Sequence, residues 1–391
     1  MINNALLAIA LLAWLSSGSF REKGAAFRHP IAVVAIVLYV LMMLQALFGA
    51  SYIASAAIHL RKYDDLLLIP IFLYLFRDAC TRDRSVIAMA LGLAFVLLIS
   101  YLIAFGVPLW VVGSIRGNPS DPVAFKQHLT HNILMAFGVF LFAWLAVNAA
   151  TRRARLGWGI LTMLALVNVT LMVQGATGYL VLIGLSLLLG FRCVGWRGLA
   201  WAGVGMAVLA FTLMATTNPF EQRVNKVIHE FREWRPDTPA DTSTGWRLEF
   251  YRNTLSIIAA HPLLGVGTGG FAQAYAEKVQ GTGAVPTQNP HNEFLLMWAQ
   301  LGIAGVVLLV WLFWRQWRLA ARLPTRLERE LARGLIVTMV IGCMLNSLLL
   351  DHTEGLFYAW LTGVLYGGLK SRDPSTDPHF PKSGQAGNAA R

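Results

Sequence analysis

Apolar residues fall in long runs, at about 2–19, 31–50, 64–77, 85–106, 129–150, 157–173, 176–191, 198–216, 292–314, 334–350 and 355–369. A helix needs roughly 20 mostly apolar residues to cross the hydrocarbon core of a bilayer. The pattern predicts an all-α polytopic membrane protein with about 11–12 transmembrane helices. The 64–77 run is short enough for a tilted or re-entrant segment. The runs divide the chain into an N-terminal transmembrane bundle (1–216), one large loop (217–290), C-terminal transmembrane helices (291–370) and a tail (371–391). That tail is rich in Pro, Ser and Gly and reads as disordered. No internal repeat is visible.

The large loop has elements of its own. Val224, Val227, Ile228, Phe231 and Trp234 recur at helical spacing over 221–234, which predicts an amphipathic helix on the membrane or on the bundle. Residues 235–243 are rich in Pro, Asp and Thr and read as a turn. A second helix is expected to start after Ser243 or Thr244 and to end near His261-Pro262, with Arg247 in its first turn. Gly265-Val266-Gly267-Thr268-Gly269-Gly270 then forms a turn, followed by a short helix to about Gln280. Asn289 reads as an N-cap and Pro290 as the first residue of the next span, which places His291 in that helix's first turn.

Composition supports the membrane reading. Of 391 residues, 56% are hydrophobic and only 13% charged, where soluble domains carry about a quarter charged. The mean hydropathy is +0.57. A net charge of +12 would suit nucleic acid, but the basic residues lie in short loops between apolar runs. They cluster at Arg21/Lys23/Arg28, Arg77/Arg82/Arg84, Arg152/Arg153/Arg155, Arg192/Arg197 and Arg315 to Arg333, the distribution of cytoplasmic loops. The opposite side receives 51–63, 107–128, 217–290 and the turn at 351–354. The loop 217–290 carries seven Lys/Arg and seven Asp/Glu, so it is not a basic tail. An odd number of spans puts the N-terminus outside, unless one run is two segments or a span lies upstream. Residues 1–20 lack a basic leader and a clear cleavage site and read as a span. Cys80, Cys193 and Cys343 form no disulfide or metal pattern.

Polar residues on the outer side are the candidates for chemistry. His59, Arg61 and Lys62 lie in the first outer loop; Arg116, Asn118, Lys126, Gln127, His128 and His131 in the second. The large loop adds Arg247 and Arg252, the next span begins with His291 and Asn292, and Asp351, His352 and Glu354 form a charged turn. A helix start carries partial positive charge and favours a bound anion, and a neutral histidine beside an anion suits a general base. His291 read blandly is only a polar residue at a helix start. Arg247 either snorkels or clamps an anion. The glycine run is neither a Walker A loop nor a dinucleotide fingerprint, and a close-packed turn is its simplest reading. His128 and His131 have ligand spacing but no third ligand, so no metal is expected there. Asp351, His352 and Glu354 either close a turn, orient His291 or bind sugar hydroxyls.

His291-Asn292, nine residues and then Gly302-Ile303-Ala304-Gly305 resembles the signature of the bacterial O-antigen ligase/polymerase superfamily. Ser243-Thr244-Gly245-Trp246-Arg247 followed by His261-Pro262-Leu263-Leu264-Gly265-Val266-Gly267 is similar to that family's loop. The length and the Asp351–Glu354 segment favour the ligase branch. The resemblance implies a GT-C-like, metal-independent, inverting glycosyltransferase of the bacterial inner membrane, with no cofactor and no nucleic-acid partner. Its donor would be an undecaprenyl-diphosphate-linked O-antigen and its acceptor a sugar hydroxyl of lipid A–core, joined at the periplasmic face. It implies that His291 activates the acceptor and that Arg247 holds the diphosphate. One departure stands out: members carry an arginine just before a Thr-Gly-Tyr motif, whereas Gln174-Gly175-Ala176-Thr177-Gly178-Tyr179 has none. Arg116 or Lys126 would then supply the second cation, and His128, Arg252 and Asn292 complete the expected substrate contacts. An O-antigen polymerase or a protein O-oligosaccharyltransferase shares the pattern. A flippase or transporter fits less well, because transporters bury charges at the midplane and these spans are mostly charge-free.

Overall fold

The computed structural model describes residues 2–48, 53–107, 117–125, 127–173, 175–236 and 238–369. It holds α1 (Ile2–Ser16), α2 (Phe20–Phe27), α3 (Pro30–Phe48), α4 (Ile53–Lys62), α5 (Asp65–Leu75), α6 (Ala79–Ala104), α7 (His128–Asn148) and α8 (Arg152–Val167). A π-helical turn, Asn168–Met172, precedes α9 (Ala176–Val194) and α10 (Trp196–Met214). The large loop contributes α11 (Pro219–Glu233), α12 (Ser243–Ala260) and α13 (Phe271–Val279). The chain returns through α14 (Glu293–Ala320), α15 (Arg326–Leu345) and α16 (His352–Tyr366). No strand occurs among the described residues.

Each of the eleven apolar runs is a helix. Among the described residues, seven are long and apolar enough to span a membrane: α3, α6, α7, α8 with its π-turn, α9, α10 and α14. The chain is an all-α multi-pass membrane protein. Helix α7 is the central member, with 72% of its spanning window buried, and α10 the outermost, with 11%. Two helices start well before their apolar stretch because polar caps nucleate them. Asp78 caps Thr81 N at the start of α6, and Thr325 with Glu328 forms a capping box at α15.

Short α5 packs lengthwise on α16. A Cβ on Gly363 would come within 2.2 Å of Phe72 Cβ, so only glycine allows this approach. Buried Gln316 ties α14 to α16: its Nε2 donates to Thr362 Oγ1 (3.0 Å), and its Oε1 accepts from Tyr358 Oη (2.8 Å). Such interhelical hydrogen bonds act as polar glue where no water competes.

Ion pairs collect at one end of the bundle. Arg82 Nε meets Glu328 Oε1 at 2.9 Å, both side chains at most 6% exposed. Glu330 receives Arg192 and Arg333, each at 2.8 Å. Removing one partner of a buried pair strands the other charge, at a cost of about 3–5 kcal/mol. Arg82→Met is therefore expected to lower the thermal unfolding temperature in detergent clearly. The double variant with Glu328→Gln, which keeps the cap acceptor, should recover most of the loss. An unchanged unfolding temperature in Arg82→Met would refute this role.

Candidate active site

The opposite end of the bundle gathers α12, the segment before α14 and the end of α15. Residues 289–292 do not start α14 as the sequence suggests. The N-cap is Asn292, whose side chain accepts from Leu295 N at 3.1 Å, and the helix begins at Glu293. Asn289 instead makes an Asx turn, its Oδ1 accepting from His291 N (2.8 Å) and from Ser347 Oγ (2.7 Å). His291 thus sits before the cap, with φ at +56°, the only non-glycine residue with positive φ among those described. Side chains rarely adopt that conformation, and such outliers cluster at functional sites.

The imidazole is held on three sides. Its Nδ1 lies 2.9 Å from Asn346 Oδ1, its ring stacks on Phe250 (6.0 Å between centroids, 23° between planes), and its backbone carbonyl accepts from Tyr251 Oη at 3.2 Å. In the neutral imidazole, an Nδ1–H that donates to Asn346 Oδ1 leaves the lone pair on Nε2. Nε2 has no hydrogen-bond partner among the described residues. Tyr251 Oη also reaches Met344 O, to which Asn292 Nδ2 donates at 2.9 Å.

Arg247 lies one turn before Tyr251 and so on the same face of α12, in the second helical turn rather than the first. It is half-buried and has no hydrogen bond or ion pair among the described residues. Burial pushes its guanidinium below the usual arginine range; Tyr251 opposes the shift and Arg223 adds to it. Burial likewise raises the Tyr251 phenol. A desolvated cation without a carboxylate is costly unless an anion arrives to meet it.

Beneath this site Glu293, fully buried, accepts from Tyr63 Oη (2.6 Å) and from Leu349 N (2.9 Å). It clamps the 346–350 segment, and with it Asn346, onto α14. The sequence reading missed Glu293, Asn346 and Ser347. An acid opening an apolar helix was the visible signal for the first; the other two carry none.

The glycine run is close-packed. Gly302, with φ +65°, breaks α14, so Ile303 N donates to Pro262 O (3.1 Å) instead of to Ala299 O. Ala299 O and Gln300 O accept instead from Val266 N (2.8 Å) and Gly267 N (3.0 Å). The 261–267 turn and the Gly302 kink thus satisfy each other's backbone groups, which explains why the two motifs occur together. Leu263 and Leu264 remain exposed at the tip of the turn.

Other expected residues fall elsewhere. Arg116 and Lys126 lie outside the described residues. Arg252 is exposed and donates to Pro236 O. His128 is exposed at the start of α7, while buried His131 bonds Asn168 Oδ1 at 3.0 Å, so the pair does not converge. Glu354 is buried and accepts from Thr130 Oγ1 (2.5 Å). Asp351 is exposed. His352 pairs with Asp65 at 3.0 Å; with Asp64 these form a group within 4.8 Å, the metal-type cluster found among the described residues.

The seven apolar spanning helices among the described residues define a multi-pass membrane protein, with His291 and Arg247 at one end of the bundle. Residues 162–310 match the family model described as O-Antigen ligase, and this segment belongs to the O-antigen ligase/polymerase superfamily. It contains Arg247, both glycine motifs and His291. No curated protein matches the chain. Members of the family are glycosyltransferase-like enzymes.

Proposed function

We propose that the protein is an O-antigen ligase of the bacterial inner membrane, with its site facing the periplasm. It transfers a glycan from undecaprenyl diphosphate to a sugar hydroxyl of lipid A–core. The observation that carries this reading is the imidazole of His291, fixed by Asn346 through Nδ1 with Nε2 unpartnered, beside Tyr251, which neighbours an unpaired arginine one turn earlier on α12. Nε2 accepts the proton of the acceptor hydroxyl as its oxygen forms a bond to the anomeric carbon. The bond from that carbon to the diphosphate oxygen breaks from the opposite face, which inverts the configuration. Arg247 holds the charge that develops on the leaving diphosphate. No step requires a metal. The donor's apolar tail suits the bilayer, and the exposed Ile228 and Phe231 of α11 suit a helix lying against the membrane.

A deletion strain tests the choice of acceptor. Loss of a ligase leaves full-length glycan on the lipid carrier and unmodified lipid A–core. Lipid A–core carrying a single repeat would make the protein a polymerase instead.

A further inference from the structure

Three donor groups have no hydrogen-bond partner among the described residues: the Tyr179 hydroxyl of α9 and the guanidinium groups of Arg223 on α11 and Arg247 on α12, with Arg223 within electrostatic reach of the other two. Tyr179, in the first turn of α9, is 6% exposed, and its hydroxyl is buried with no hydrogen-bond partner. The N-cap of α9, Gly175, offers no side chain to that helix's first N–H groups. The Tyr179 ring packs on Phe220 at 4.9 Å between centroids, which sets the start of α11 over the start of α9. Arg223 follows Phe220 by three residues and shares its face of α11. It is half-buried, makes no hydrogen bond or ion pair among the described residues, and lies within electrostatic reach of both Tyr179 and Arg247.

Three acids, Glu221, Glu230 and Glu249, lie on the same helices, and none forms an ion pair with Arg223 or Arg247 among the described residues. Glu230 Oε2 accepts from Thr244 N (3.0 Å) and Ser243 Oγ (3.4 Å). Its other oxygen faces Lys226 at 3.9 Å. Glu221 takes Asn225, and Glu249, whose Oε2 is buried without a hydrogen-bond partner, acts electrostatically on Tyr275. Two guanidinium groups drawn together in a partly desolvated space repel unless an anion sits between them, and planar forks suit phosphoryl oxygens.

We propose that Arg223 is a second diphosphate-holding residue, which with Arg247 and the Tyr179 hydroxyl binds the anionic head of the polyprenyl donor. This rests on the function proposed above and names a cation for it other than Arg116 and Lys126. The full-length protein in nanodiscs would be assayed for transfer, with inorganic pyrophosphate as competitor. Arg223→Gln, which keeps most of the side chain's length and packing, is expected to raise both the donor KM and the pyrophosphate inhibition constant roughly 10- to 100-fold, the worth of a charge-assisted hydrogen bond. Arg223→Lys should recover part of this, because it restores charge without the fork. Tyr179→Phe should shift the same constants in the same direction, by less.

Wild-type constants in Arg223→Gln, with Arg247→Gln strongly impaired, would overturn the role of Arg223 and leave the active-site reading standing. Wild-type constants in both variants would place the diphosphate elsewhere and remove both proposals. A rise in KM for the acceptor alone, with pyrophosphate inhibition unchanged, would also contradict the assignment.

Discussion

Replacing His291 by alanine is expected to lower glycan transfer by about 10²–10⁴-fold, the usual contribution of a positioned general base. The protein should remain folded, because the imidazole's own contacts are one hydrogen bond and one stacked ring. Alanine also removes a bulky side chain from a left-handed backbone that Asn289 and Tyr251 hold from either side. Thermal unfolding should therefore stay close to wild type while transfer collapses. Asn346→Leu provides the companion test. It removes the acceptor that keeps the proton on Nδ1, so the base loses its fixed tautomer and orientation. An intermediate loss of kcat, with donor inhibition by pyrophosphate unchanged, would separate this positioning role from substrate binding. Full activity in His291→Ala would exclude Nε2 as the base.

The second large effect is structural. Gly302→Ala puts a Cβ 1.9 Å from Leu263 O on a backbone at φ +65°. Left-handed strain and overpacking against backbone together cost about 2–5 kcal/mol, since backbone, unlike a flexible side chain, has little room to move. The 261–267 turn would have to leave α14, uncapping Ala299 O and Gln300 O within the bundle. Both the unfolding temperature and transfer should fall. Gly159→Ala is the control: nothing lies within 4 Å of its added Cβ, and alanine favours a helix. Equal unfolding temperatures for the two variants would mean that the exchange of backbone partners around Gly302 is not what holds the turn.

These expectations show which parts of the molecule are legible in the chain alone. Hydrophobic runs locate the spanning helices, because burial in lipid demands length and apolarity and nothing finer. The first helix of the large loop follows from its apolar stripe over 224–234, whereas the caps that fix the helix starts, Asn218 and Thr242, emerge only in the structure. Arg247 and His291 stand out as polar residues at the outer ends of apolar elements. The start of α14 misleads because two asparagines, Asn289 and Asn292, both suit an N-cap. Ser347, 58 residues away, decides between them by bonding Asn289. Asn346 is invisible for the same reason, since its role exists only once α15 ends beside the 289–292 turn. The π-turn at 168–172 is also tertiary in origin: Asn168 takes His131 and donates to Ser100 at 2.8 Å. Both Gly302 and the 261–267 turn are visible in the sequence as glycine motifs. Only the crossed hydrogen bonds show that each satisfies the other.

The most direct test is transfer by the purified protein. Undecaprenyl-diphosphate-linked glycan and lipid A–core would be mixed with it in the presence of EDTA and the product followed by gel. The account predicts a shifted lipopolysaccharide band that His291→Ala abolishes. Absence of transfer to any acceptor, or a band that persists at wild-type intensity in His291→Ala, would contradict it.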